Sequence, residues 1–120
     1  MIELVLSERC VRCDVCVTVC PTNVFDAVPD APPTIARQSD CQTCFMCELY
    51  CPADALYVGP DCERAEPVSP AAIEASGRLG QFRRDSGWGE WADDPRYRNQ
   101  HWRMDGVFAR AREAAAARGA

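Results

Sequence analysis

The sequence predicts a small domain of short strands and short helices, built as two related halves and followed by a second segment of different character. Three observations carry this. A cysteine run recurs within the first half of the chain: Cys10-Val-Arg-Cys13-Asp-Val-Cys16-Val-Thr-Val-Cys20-Pro21 aligns with Cys41-Gln-Thr-Cys44-Phe-Met-Cys47-Glu-Leu-Tyr-Cys51-Pro52, 31 residues later. Short apolar stretches flank each run, and Thr22-Asn-Val-Phe25 continues the match against Ala53-Asp-Ala-Leu56. After Gly59-Pro60 the composition changes: residues 61–120 hold all three tryptophans and the single histidine, and few Ile, Leu or Val. An internal repeat fixes architecture, because each copy is one supersecondary unit.

Each element has a local reason. Residues 2–6, Ile-Glu-Leu-Val-Leu, read as a short strand leading into the first cysteine loop. A short helix over 17–20 stops at Pro21, which has no N–H to donate and cannot continue the turn. Residues 24–27 and 34–36 are strand candidates around 28–33 (Val-Pro-Asp-Ala-Pro-Pro), a turn by composition. The second copy repeats the order, with a helix ending at Pro52 and a strand over 56–58. Beyond Pro60, Ser69-Pro70 reads as the N-cap and N1 pair of a helix ending near Gly77. Residues 80–94 read as irregular. Asp105 can open a last helix with Val107, Phe108, Ala111 and Ala115 on one face.

Charge separates the halves. Residues 1–60 carry three arginines against eight acids, a balance of −5 that equals the net charge of the whole chain. Residues 61–120 carry ten arginines and ten acids, and lysine is absent throughout. An acidic front half argues against nucleic acid and anionic membranes, which need a basic footprint. It favours a partner with a basic docking face. No apolar run reaches the ~20 residues of a membrane span. The start of the chain has no apolar core of a secretory signal, so a reducing, cytoplasmic setting is expected.

The spacing of eight of the nine cysteines points to iron and sulfide. A [4Fe–4S] cube needs a thiolate at each of four corners, and C-x2-C-x2-C lets one tight loop serve three of them. In the run C-x2-C-x2-C-x3-C-P the fourth cysteine ligates the other cluster. The expected ligand sets are therefore Cys10, Cys13, Cys16 and Cys51 for cluster I, and Cys41, Cys44, Cys47 and Cys20 for cluster II. Zinc is the alternative for C-x2-C pairs, but it does not explain the third cysteine, the fourth at x3, or the prolines. No ligand is missing, which argues against a [3Fe–4S] centre. Cys62 reads as a thiol outside the ligand sets, with a redox or replacement-ligand role as the alternative. Apolar residues expected to shield the cubes are Val11, Val15, Val17, Val19, Phe45, Met46 and Leu49, with Leu4, Phe25, Ile35 and Tyr57 from the strands.

Over residues 1–60 these two runs resemble bacterial-type two-cluster ferredoxins. The resemblance implies an α+β, ferredoxin-like two-cluster module with pseudo-twofold symmetry and a role in one-electron transfer. In that family glycine often follows the second cysteine of each run; here Asp14 and Phe45 stand there. The remaining residues, 61–120, are expected to form a mostly irregular and helical C-terminal arm. They hold no nucleotide-binding glycine loop, nucleophile–base pair or C-x3-C-x2-C run, so no catalytic site is expected. Tryptophan and arginine are the residues enriched at interface hot spots. The arm is therefore expected to bind a partner through residues 61–120, including Trp88, Trp91 and Trp102. His101 reads as a surface or packing residue. The layout also resembles small ferredoxin-type subunits of flavoprotein oxidoreductases, such as the β subunit of adenylylsulfate reductase, which implies a flavin-containing partner. A free, diffusing ferredoxin and an iron–sulfur redox or oxygen sensor are the alternatives.

Overall fold

The computed structural model describes residues 1–87, 93–97 and 104–119. Its order is β1 (Ile2–Val5), α1 (Val15–Val19), β2 (Phe25–Val28), β3 (Ala31–Ile35), a 3-10 turn (Gln38–Asp40), α2 (Met46–Tyr50), β4 (Leu56–Val58), α3 (Pro70–Ser76), α4 (Gln81–Asp85), a 3-10 turn (Pro95–Tyr97) and α5 (Asp105–Gly119). Small sheets and short helices make an α+β fold. Trp88, Trp91, His101 and Trp102 lie outside the described residues.

Two antiparallel ribbons frame the cysteine loops. β1 pairs with β4, with Ile2 opposite Val58 and Val5 opposite Leu56; β2 pairs with β3, with Phe25 opposite Ile35. The stretch expected as one long turn is shorter: only Pro29 and Asp30 turn, while Pro32 and Pro33 belong to β3. Proline lacks the ladder N–H; of two adjacent prolines only one can face the ribbon's free edge, and the pair is accommodated because the register shifts there, between the Asp26–Thr34 and Val28–Ala31 pairs. Arg37 ties the ribbon's open end, donating to the carbonyl of Asn23 at 2.6 Å and to Asp26 at 2.5 Å. Gln38 links the two ribbons by donating to the carbonyl of Ile2 and to Glu3, each at 2.7 Å.

Both cysteine helices end where the prolines predict, with Cys20 and Cys51 as extended C-caps. They pack on one another, and their apolar residues divide between two sides. Val17 and Cys47 join Ile2, Val24, Phe25, Leu56 and Val58 in the main core. Val19, Leu49 and Tyr50 form a separate cluster that receives Phe108 of α5.

The segment after Gly59 is packed on the module. α3 has the expected ends: Ser69 is the N-cap and accepts from the Ala72 N–H, Pro70 follows it, and Gly77 closes the helix at φ 75°. Its Ile73 and the following Leu79 are buried against Leu6 and Tyr57. Residues 81–85 are helical as α4, where an irregular stretch was expected. Gly80 opens α4 at φ 66° and donates to the carbonyl of Leu56 at 3.2 Å. A Cβ there would lie 2.1 Å from Asp54 Oδ1, so any side chain would force Asp54 to move, on a φ that already favours glycine. α5 begins at Asp105 as expected and lies along α1. Its half-buried side is Phe108, Ala109, Ala111, Arg112, Ala115 and Ala116, whereas Val107 faces outward.

Candidate metal centre

The eight repeated cysteines are gathered into two groups of four. One cavity is lined by Cys10, Cys13, Cys16 and Cys51 with Val5, Val11, Asp14, Pro33, Ala55 and Leu56. The other is lined by Cys20, Cys41, Cys44 and Cys47 with Ile2, Thr22, Val24, Phe25, Gln42, Phe45 and Val58. Each group takes three thiols from one run, two in its loop and one in the first turn of its helix, and one from the far end of the opposite helix. The thiols line a space, and among the described residues no three Cys, His, Asp or Glu side chains are placed to hold a single metal ion. A single zinc needs four donors, with sulfurs about 2.3 Å from one centre, whereas a cube carries its irons at separate corners. Cys62 is exposed and lines neither cavity.

The backbone around the two groups repeats at the spacing of the sequence repeat. Arg12 and Thr43, Asp14 and Phe45, and Asn23 and Asp54 all take left-handed conformations. The Arg12 N–H donates to Cys10 Sγ and the Thr43 N–H to Cys41 Sγ, each at 3.4 Å. The Val24 N–H donates to Cys20 Sγ and the Ala55 N–H to Cys51 Sγ, again at 3.4 Å. The tight loop turns its amides toward sulfur, and those donors stabilise negative charge on the thiolates. The left-handed positions explain why glycine suits the residue after each second cysteine. Asp14 and Phe45 occupy that conformation at a cost of about 1–2 kcal/mol each.

Electrostatics mark the same two groups. Burial pushes the Cys16 thiol up to about 12, and the neighbouring thiolates of Cys51, Cys13 and Cys10 add to the effect. Burial likewise raises Cys44 and Cys47, reinforced by their neighbours, among them Cys20 and Cys41. Four crowded thiolates oppose one another unless a cationic core sits among them. A metal ion or iron–sulfur core deprotonates its thiol ligands outright. The donor set and the amide donors fit a [4Fe–4S] cube.

The shielding residues differ in part from those expected. Val17, Phe25, Ile35 and Phe45 pack in or against the main core around the cavities. Val11 lines the first cavity but is 62 % exposed. Val19 and Leu49 face α5, with Val15 and Met46 packed beside them. Leu4 and Tyr57 face α3. Ile2 and Val5, three residues apart, reach the cavities from one side of β1 because a bulge between Ile2 and Leu4 breaks the alternation. Tyr50 is buried, and its hydroxyl accepts from the Met104 N–H at 3.1 Å.

Two charged residues that the sequence did not single out join the arm to the site. Glu48 on α2 is only 2 % exposed. Its carboxylate accepts from the Val58 N–H at 3.2 Å and from the Phe82 N–H at 2.8 Å, so it pins α4 to α2 and β4. Burial raises its pKa, and those two donors pull in the opposite direction. Arg83 donates to the carbonyl of Cys51 at 2.9 Å.

The comparisons agree with this chemistry. Residues 4–26 match the family model described as a 4Fe-4S binding domain, which marks an iron–sulfur protein. The chain is 39 % identical over 47 residues to a ferredoxin of Methanothermococcus thermolithotrophicus, covering 39 % of this chain and 77 % of that protein. It is 41 % identical over 50 residues to an uncharacterised ferredoxin of Methanocaldococcus jannaschii, covering 42 % and 79 %. The chain belongs to the ferredoxin family of iron–sulfur electron-transfer proteins. An archaeal-type NADPH glutamate synthase of Dehalococcoides mccartyi is 32 % identical over 53 residues, which is 44 % of this chain but 11 % of that protein. No solved structure matches the chain. Among the described residues, no helix is long and apolar enough to cross a membrane.

Proposed function

We propose that residues 1–60 form a two-cluster module with pseudo-twofold symmetry. Cys10, Cys13, Cys16 and Cys51 hold one [4Fe–4S] cluster, and Cys41, Cys44, Cys47 and Cys20 hold the other. The observation that carries this reading is the division of the eight thiols into two lined cavities, each with three from one run and one from the other. The matched left-handed positions and N–H···S bonds support the symmetry. When bound, each cluster supplies a one-electron couple, and the chain's own part is to ligate it, keep water from it and direct amides at its sulfurs.

The chain is further read as the small, electron-carrying subunit of a cytoplasmic oxidoreductase complex, bound through residues 61–120 to a flavin-containing partner. Support comes from the likeness to a stretch of a glutamate synthase and from an arm longer than the module needs. A free ferredoxin is the second reading, favoured by the burial of Ile73 and Leu79 on the chain's own Leu6 and Tyr57. Anaerobic affinity purification from the native host separates the two. The subunit reading expects a coloured flavin-containing chain to co-purify with the full chain and to be lost on removal of residues 88–120. Recovery of the chain alone, with both clusters, supports the free carrier.

A further inference from the structure

The twin positions Asp14 and Phe45 differ in what lies over them. Both follow the second cysteine of a run, and both line their group's cavity. Asp14 brings a carboxylate whose Oδ1 is buried without a hydrogen-bond partner. Phe45 brings a ring, which stacks on Phe82 of α4 with centroids 4.9 Å apart and planes 28° apart. Phe82 is held in place through its backbone, since its N–H donates to the buried Glu48 carboxylate. It remains 39 % exposed, so one side of its ring meets Phe45 and much of the rest meets water. A helix of the arm thus adds a second aromatic layer over one cysteine group, in a fold whose two halves otherwise repeat.

We propose that Phe82 is a positioning residue for the second site. Stacked on Phe45, it fixes that ring across the cavity of Cys20, Cys41, Cys44 and Cys47, keeps water out, and so lowers the reduction potential of the cluster held there. The inference rests on the ligand sets proposed above. The sign follows from charge: reduction adds a negative charge to an already anionic cluster, and a drier surround disfavours the more highly charged form. Phe45 packs on the main core, and Phe82 covers it with a second ring, so the pair closes over the site together.

The test uses the full chain, purified anaerobically with its clusters. Redox titration followed by EPR reads both couples, and hyperfine-shifted cysteine β-protons in NMR assign each couple to its ligands. Phe82→Ala is expected to shift the couple of Cys20, Cys41, Cys44 and Cys47 to a more positive potential and leave the other in place. Phe82→Tyr, which keeps the ring, is expected to leave both unchanged. Phe82→Leu keeps an apolar side chain without a ring and is expected to shift the same couple in the same direction, which preserves the test if the alanine variant loses its cluster. Hyperfine shifts at the four cysteines with no change of potential in the alanine and leucine variants would overturn the inference alone. Equal movement of both couples, or a shift in the tyrosine variant as large as in alanine, would overturn it too. Absence of hyperfine shifts at those cysteines would overturn the ligand assignment, and the inference with it.

Discussion

Replacing Cys20 by alanine is expected to remove the cluster whose other three ligands lie after residue 40, and to leave the cluster of Cys10, Cys13 and Cys16 in place. Cys51→Ala is expected to do the reverse. The reason is geometric. Cys20 closes α1 yet lines the cavity of Cys41, Cys44 and Cys47, and Cys51 closes α2 yet lines the cavity of Cys10, Cys13 and Cys16. Each helix therefore hands its last thiol across to the other half. Loss of one such thiol removes a quarter of one site's donors and none of the other's. EPR of the reduced protein, with iron content, reads the outcome: about four of eight irons lost in each variant. Loss of the cluster next to the mutated residue in sequence would show that each run closes its own site. Cys62→Ala serves as the control and is expected to retain both.

Glu48→Ala is expected to cost about 2–4 kcal/mol of stability and to free α4. The Val58 and Phe82 N–H groups both donate to this carboxylate, and a buried donor left unpaired costs about 1–3 kcal/mol. Because α4 depends on one of those bonds, its amides should exchange faster while those of β1 and β4 keep more of their protection. Glu48→Gln retains one acceptor oxygen and should lose less. Denaturant unfolding of the holoprotein, with hydrogen exchange resolved by residue, measures both effects. An alanine variant as stable as the wild type, with α4 still protected, would show that the arm is held by Ile73 and Leu79 without the carboxylate.

The cysteine module was legible in the sequence because its signals are local and doubled. Both runs, both prolines and the flanking apolar stretches determine helices and strands within a few residues, and the structure agrees. The Ser69-Pro70 opening of α3 was legible for the same reason, since a cap is a nearest-neighbour effect. What the sequence hid was long-range. Ile73 and Leu79 are isolated apolar residues in a polar stretch, and only their burial against Leu6 and Tyr57 shows the arm folding back on the module. The start of α4 depends on Glu48, 34 residues away, so no local pattern announces it. Leu4 is the shield that the pattern suggests, but the bulge in β1 gives that place to Ile2 and Val5. Phe45 stood out as a departure from glycine, while its stack on Phe82 could be seen only in three dimensions.

The most direct test of the account is the iron and acid-labile sulfide content of the anaerobically purified chain. Two cubes held by the eight repeated cysteines require about eight iron and eight sulfide per chain. Two zinc ions with no sulfide would contradict the account, and a content near four iron and four sulfide per chain would leave one of the two cavities without its cluster.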